Sequence, residues 1–326
     1  MIPVTGSSYT YSYAVLGEFA AWLIGWDLLL EYSLIVAAVA SGWSGYLQSL
    51  LVTAGLILPT WAQGAAGTGE GRVFNLFAAL LALAVAGLLT MRTVWGARFN
   101  TAIVAVKILG VVLIIGVGAF YIDVSNWSPF VPPEVTDLRG QSRFGVSGVV
   151  TAAAVVFFAV FGYDTLTTAA EESKNPQRDL PRAIILSVSI SMVLYVTISL
   201  VLTGITHYST LGNDAPVANA FSALGLNWVS AAISLSAVLG IISVVFAFML
   251  GAARIWFSLA RDGLLPSWFS RVHPIHGTPY RPTLIIGLIT AITAGLLPLD
   301  ELAKLVNIGA LSAFVVICSS IMVLRY

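Results

Sequence analysis

Residues 99–121 read FNTAIVAVKILGVVLIIGVGAFY, an apolar run in which Lys107 is the one charged residue. A helix of about 20 apolar residues crosses the hydrocarbon core of a bilayer, and this stretch is long enough. Seven further stretches of similar character flank it, at roughly 19–46, 73–91, 146–170, 182–205, 228–253, 282–298 and 303–324. Composition agrees. Of 326 residues, 58% are hydrophobic and 9% charged, against about 25% charged in soluble domains, and mean hydropathy is +0.94. The chain therefore reads as an all-α polytopic membrane protein with about eight transmembrane helices. The stretch 47–60, with Gln48 and Pro59, reads as a continuation into an outer loop.

Loop charge sets the orientation. With the N-terminus in the cytoplasm, Arg92, Arg98, Lys174, Arg178, Arg182, Arg254, Arg261, Arg271, Arg281 and Arg325 lie inside. Arg72, Arg139, Arg143 and Lys304 lie outside. This asymmetry predicts cytoplasmic termini in the plasma membrane. The loops leave no room for a separate soluble domain. The longest outer loop, about 122–145, holds Pro129, Pro132 and Pro133 and is expected to have little regular structure. Net charge is +0, so no basic footprint points to nucleic acid. Cys318 lies in an apolar stretch and reads as a small packing residue. Neither a signal peptide nor a phosphate-binding glycine loop is visible. His273 and His276 sit in an inner loop with no partner in a span, so neither a metal site nor a catalytic triad is expected, and no cofactor.

The informative residues are charges within spans: Asp27, Glu31, Lys107 and Asp164. Each costs about 2.5–3.5 kcal/mol at mid-membrane on insertion scales. Together they rival a typical domain stability of about 5–15 kcal/mol, so they must face a cavity, pair or be neutral. Asp27 and Glu31 are four apart and share a helix face. Glu31 lies about 20 Å along the helix from Glu18, and Lys107 about 12 Å from Phe99. The depths differ by about 8 Å, which leaves contact between them open. Lys107 has two readings: an amine snorkelling to the inner interface, or a buried titratable amine that takes up and releases a transported proton. Asp27 reads first as a helix-end residue bonded to a neighbour. Glu31, the deeper residue, reads as functional.

The fourth span reads Val155-Val156-Phe157-Phe158-Ala159-Val160-Phe161-Gly162-Tyr163-Asp164-Thr165. Asp is a preferred N-cap, so a second short helix can begin at Asp164 after unwound backbone. Irregular backbone at membrane depth is tolerated where it lines a cavity or is buried in protein, and broken helices bind substrate in many transporters. An ordinary helix kinked at Gly162 is the other reading. Pro181 suits the first turn of the helix that follows.

Several strings in order carry a resemblance: Pro3–Tyr13 with Gly17-Glu18, Gly25-Trp26-Asp27 with Leu30-Glu31-Tyr32, Asn126–Phe130, Phe157–Asp164, Glu171-Glu172 with Asn175-Pro176 and Asp179-Leu180-Pro181, and Ala260–Pro266. The chain resembles the amino acid–polyamine–organocation superfamily, specifically bacterial permeases of the cationic amino acid transporter branch. The resemblance implies an inverted-repeat transporter fold, with these spans matching family helices 3–10. Residues 1–18 would form a cytoplasmic loop, 19–121 the remainder of the first repeat and 146–326 the second. It implies secondary active transport of amino acids, by proton symport, with lipid as surroundings. By the same resemblance, carbonyls of Phe158, Ala159 and Phe161 beside Gly162 receive the substrate ammonium, and Phe158 serves as an aromatic gate. Glu31 lies near the pocket, and Lys107 is linked to proton coupling. Asp164 is grouped with Lys107 as a proton-coupling candidate, and Phe248, in the sixth span, is expected to narrow the site.

The family's first helix, with its carboxylate-binding break, has no counterpart, and Met1-Ile2-Pro3 reads like the interior of a longer sequence. The expectation is that residues 1–326 alone bind substrate weakly. The competing expectations are an amine or polyamine exchanger on the same fold and a non-transporting fragment.

Overall fold

The computed structural model describes residues 12–13, 15–91, 97–136, 142–160, 162, 175–273 and 277–325. Among the described residues, helices lie in each of the eight expected spans, the fourth being described as helix as far as Val160: α1 (Glu18–Thr53), α2 (Leu76–Thr90), α3 (Ala97–Gly118), α4 (Gly145–Val160), α5 (Pro176–Ile205), α7 (Asn227–Arg261), α8 (Tyr280–Leu296) and α9 (Leu299–Arg325). A further helix, α6 (Pro216–Ala223), lies between the fifth and sixth expected spans. Its eight residues are too few to cross a bilayer, so a search for spans passes over it.

Four helices among the described residues are long and apolar enough to cross a membrane: α1, Ala102–Tyr121, Gln177–Ile205 and α7. α2 and α8 are shorter apolar helices. The chain is a multi-pass, all-α membrane protein. Val104, Ile108 and Val112 on α3, and Ile185, Ile190 and Val193 on α5, are exposed, as a lipid-facing surface requires. Cys318 is exposed on α9 rather than packed in the interior.

Helix α1 runs through the centre, packing on α7, α9, α8 and α2. It continues to Thr53, seven residues beyond the expected end at 46, because Gln48 is satisfied within the protein. Its Nε2 donates to Ser44 Oγ at 2.9 Å and to the Gln63 carbonyl at 2.8 Å. Small residues permit the close crossings. A Cβ on Gly25 would lie 2.6 Å from Leu259, and one on Gly287 would collide with Ala86. A second apolar cluster, centred on the fully buried Phe221 of α6, joins the C-terminal end of α5 to the N-terminal end of α7.

Local sequence explains the ends. Asn75 caps α2 by accepting from the Ala78 amide. In the string Arg261-Asp262-Gly263-Leu264, α7 stops at Arg261. Gly263 takes φ 82°, and the Leu264 amide reaches back to the Leu259 carbonyl at 2.9 Å, the glycine-terminated ending that satisfies orphan carbonyls. Helix α5 begins at Pro176, so Pro181 lies inside it rather than in the first turn. Pro176 takes the opening position, where the missing N–H costs nothing. The segment after α3, expected to have little regular structure, is more ordered than that. Residues Val124–Trp127 form a 3-10 turn, Val135–Thr136 (β1) pairs with Ser142–Arg143 (β2), and the Asp123 amide is bound by the Gly204 carbonyl at 2.9 Å.

Candidate functional site

Lys107 projects from α3 onto α7. Its Nζ donates to Ser243 Oγ at 2.8 Å, and Ser243 donates to the Gly240 carbonyl at 2.8 Å. The lysine stem lies along Gly240: a Cβ there would sit 2.7 Å from Lys107 Cγ and 2.8 Å from Cε. One turn back from Gly240, Ser236 donates to the Val106 carbonyl at 3.0 Å. The two helices therefore meet along a seam of Gly and Ser, and the amine is held by the neighbouring helix. No ion pair between Glu31 and Lys107 is present among the described residues. Glu31 faces α9 instead, so the contact left open by the depth estimate does not form.

Asp27 and Glu31 share one face of α1, as their spacing requires, and that face meets α9. A Cβ on Gly309 would lie 3.2 Å from Asp27 Oδ1 and 3.7 Å from Glu31 Cβ. Ser312 donates to Asp27 Oδ2 at 3.2 Å, the neighbour bond expected, but Asp27 lies within α1 rather than at its end. Glu31 is 1% exposed. Asp27 opens on a mainly apolar cavity of about 240 Å³ lined by Leu23, Ile24, Ala313 and Val316.

Helix α4 stops at Val160, and Gly162 has φ 117°. That conformation costs a side-chain-bearing residue roughly 1–3 kcal/mol, so glycine there is a backbone requirement. A Cβ on Gly162 would lie 3.0 Å from Phe248 Cζ. Phe248 in turn meets Tyr32 edge-on, ring centroids 5.5 Å apart. The structure thus brings Gly162 and Phe248 together and places Tyr32, the residue after Glu31, behind them. The Ala159 carbonyl accepts a hydrogen bond from Tyr195 Oη at 2.8 Å. Lys107 stands apart, at the Gly240–Ser243 level of α7. Phe161, Asp164 and the side chain of Phe158 lie outside the described residues.

Sequence reasoning singled out charges and the break and so missed the polar residues around them. Asn307 donates to the Val155 carbonyl at 3.2 Å, tying α9 to the end of α4. Its Oδ1 is buried with no hydrogen-bond partner among the described residues. An Asn within an apolar span was the signal available. Ser243 gave no such signal, because Ser is frequent in these helices. A separate cavity of about 440 Å³ with a mixed polar and apolar lining lies at the far end of α1, where Arg72 Nη1 meets Asp214 Oδ2 at 2.7 Å. No cluster of three or more metal-binding side chains occurs among the described residues.

The sequence profile described as "Amino acid permease" matches residues 1–326. The chain belongs to the amino acid permease family. This is a family of transporters, not enzymes. Among the relatives, the branched-chain amino acid permease BcaP of Bacillus subtilis (strain 168) is 46% identical over 99% of this chain and 68% of its own length. The methylthioribose transporter of the same organism is 44% identical over the same shares. The cationic amino acid transporter 4 of Homo sapiens is 32% identical over the whole of this chain and 50% of its own length. This permease therefore spans about two thirds of its bacterial relatives and about half of the human one.

Proposed function

We propose that this permease carries amino acids across the plasma membrane by secondary active transport, with Lys107 taking up and releasing the coupled proton. The observation that carries the reading is the packing of Gly162, at the end of α4, against Phe248. A break in a spanning helix exposes backbone acceptors, and here an apolar ring faces it. In this reading, carbonyls of Phe158, Ala159 and Phe161 receive the substrate ammonium, and Gly162 and Phe248 bound its side chain. The Tyr195 bond occupies one side of the Ala159 carbonyl; a carbonyl has two lone pairs, so a second donor is accommodated. Glu31 sits behind the pocket on α1, and Asp164 is a proton-coupling candidate beyond the break. In this reading, residues 19–121 form the remainder of the first inverted repeat and 146–326 the second, and both termini face the cytoplasm.

The names of the relatives support the class of substrate. One is called a branched-chain amino acid permease and another a cationic amino acid transporter. The apolar Phe248–Tyr32 pair favours small neutral amino acids. A cationic or polyamine substrate is the second reading, supported by the buried carboxyl of Glu31. Competition against labelled leucine in proteoliposomes separates them. Alanine, valine and isoleucine should compete better than arginine, lysine or putrescine; arginine as the best competitor would overturn the neutral reading.

A further inference from the structure

Tyr32 has no assigned role, yet its surroundings are unusually restrictive for an aromatic residue at membrane depth. It is 1% exposed. Its ring lies over Gly251 of α7, where a Cβ would come within 2.8 Å of Tyr32 Cε1 and 3.2 Å of Cδ1. Any larger residue at 251 would displace the ring, so the bare backbone there forms a seat for it. One turn back on α7, the Phe248 ring meets the Tyr32 ring edge-on, at 5.5 Å between centroids and 63° between planes. Beyond Phe248 lies Gly162, close enough that a Cβ would sit 3.0 Å from Phe248 Cζ. Gly251, Tyr32, Phe248 and Gly162 thus form a continuous stack from α7 through α1 to the end of α4.

The stack has one adjustable member. Gly162 is held by its backbone, with φ 117°, and Tyr32 is fixed by its glycine seat. Phe248 is the ring between them, so the room beside Gly162 depends on how far Phe248 can swing towards Tyr32. Edge-to-face aromatic pairs add roughly 0.5–1.5 kcal/mol beyond area burial, which holds Phe248 in place. We infer that Tyr32 is a positioning residue for substrate size: by bracing Phe248 against Gly162, it sets the largest side chain the site admits.

This inference rests on the proposed transport function, and its test keeps the two separable. The measurement is the ratio of kcat/KM for alanine, leucine and phenylalanine uptake by the reconstituted permease. Tyr32→Ala removes the brace and lets Phe248 retreat. One methylene in an apolar pocket is worth about 10–200-fold in discrimination. The variant should therefore shift preference from alanine towards leucine or phenylalanine by about tenfold or more. Tyr32→Phe keeps the ring and should keep the wild-type ratio. In a Phe248→Ala background there is nothing left to brace, so adding Tyr32→Ala should leave the ratio where Phe248→Ala put it. Equal loss for all three substrates in Tyr32→Ala, with wild type transporting normally, would reduce Tyr32 to packing and overturn the inference. An additive shift in the double variant would overturn it too. If wild type takes up none of the three, the transport reading itself fails.

Discussion

Replacing Gly240 by alanine moves the Lys107 amine without removing it. The added Cβ would fall 2.7 Å from Lys107 Cγ, 3.3 Å from Cδ and 2.8 Å from Cε. Contact therefore falls on the stem as well as near the tip, and turning the tip alone gives no relief. The stem must lift off α7, drawing Nζ from Ser243 Oγ, now 2.8 Å away. A hydrogen bond to a charged group contributes roughly 1.5–3 kcal/mol. At about 1.4 kcal/mol per tenfold, the expected loss is about 10- to 150-fold in the rate of proton-driven uptake. Glycine to alanine within a helix is itself favourable by up to about 1 kcal/mol, so the folded protein should not be weakened by propensity. The assay is initial leucine uptake into proteoliposomes under an inward proton gradient, beside leucine counterflow with no gradient and a melting curve. Gradient-driven uptake should fall while counterflow and Tm hold. Wild-type uptake under the gradient would refute the link between the Lys107–Ser243 contact and coupling, and so would equal loss of both modes.

Other outcomes follow from the same geometry. Lys107→Ala should abolish gradient-driven accumulation and keep counterflow. Lys107→Arg should not restore accumulation, because a guanidinium stays protonated and cannot cycle. Breaking the Arg72–Asp214 pair with Arg72→Ala should cost no more than about 1 kcal/mol, as expected of an exposed pair, and the cost should shrink further in high salt when read by chemical denaturation. The Asp123 carboxyl, outside the spans, is held below the usual aspartate range by its bonds from the Ser125 side chain and amide. Its folded value is thus depressed, so its contribution to the 124–127 turn is present above about pH 4 and is lost as pH falls through that lower value. Hydrogen exchange at the Ser125 amide should accelerate only at such acidity, and in Asp123→Ala it should be fast already at neutral pH. Cysteines introduced at 122–145 or 206–225 should react with an impermeant reagent from outside, and those at 92–98 or 254–281 should not; the reverse pattern would invert the topology.

The helical framework was legible because its signal is long and redundant. In 99–121, seventeen of the 23 residues are hydrophobic and Lys107 is the one charge, so local errors do not hide the span. Ends were less legible. Helix α1 runs past Gln48 because that amide finds Ser44 and the Gln63 carbonyl, and Gln63 lies in a loop that only the fold brings near. Helix α6 escaped notice because eight residues carry no spanning signal. At the candidate site, Lys107 and the break at Gly162 stood out as costs that lipid would impose, and such costs can be read from one residue at a time. Ser243 and Tyr32 could not be read that way. Ser243 matters because Gly240 leaves space for a lysine stem one turn away. Tyr32 matters because Gly251 and Phe248 come from another helix to hold it. Both are relations between helices, and a single sequence records only their separate members. The pairing of Glu31 with α9 rather than with Lys107 has the same origin. Depth was readable along each helix, but the direction each side chain faces was set by the packing of α1 on α9 and of α3 on α7.

Coupling of amino acid movement to protons through Lys107 can be read by recording lumenal pH and labelled leucine together in the same proteoliposomes, with membrane potential clamped and no gradient imposed at the start. Added external leucine should acidify the lumen in step with its own uptake, and Lys107→Ala should take up leucine only to equilibrium, with no pH change. Leucine uptake by wild type with no proton movement would rule out proton coupling through Lys107.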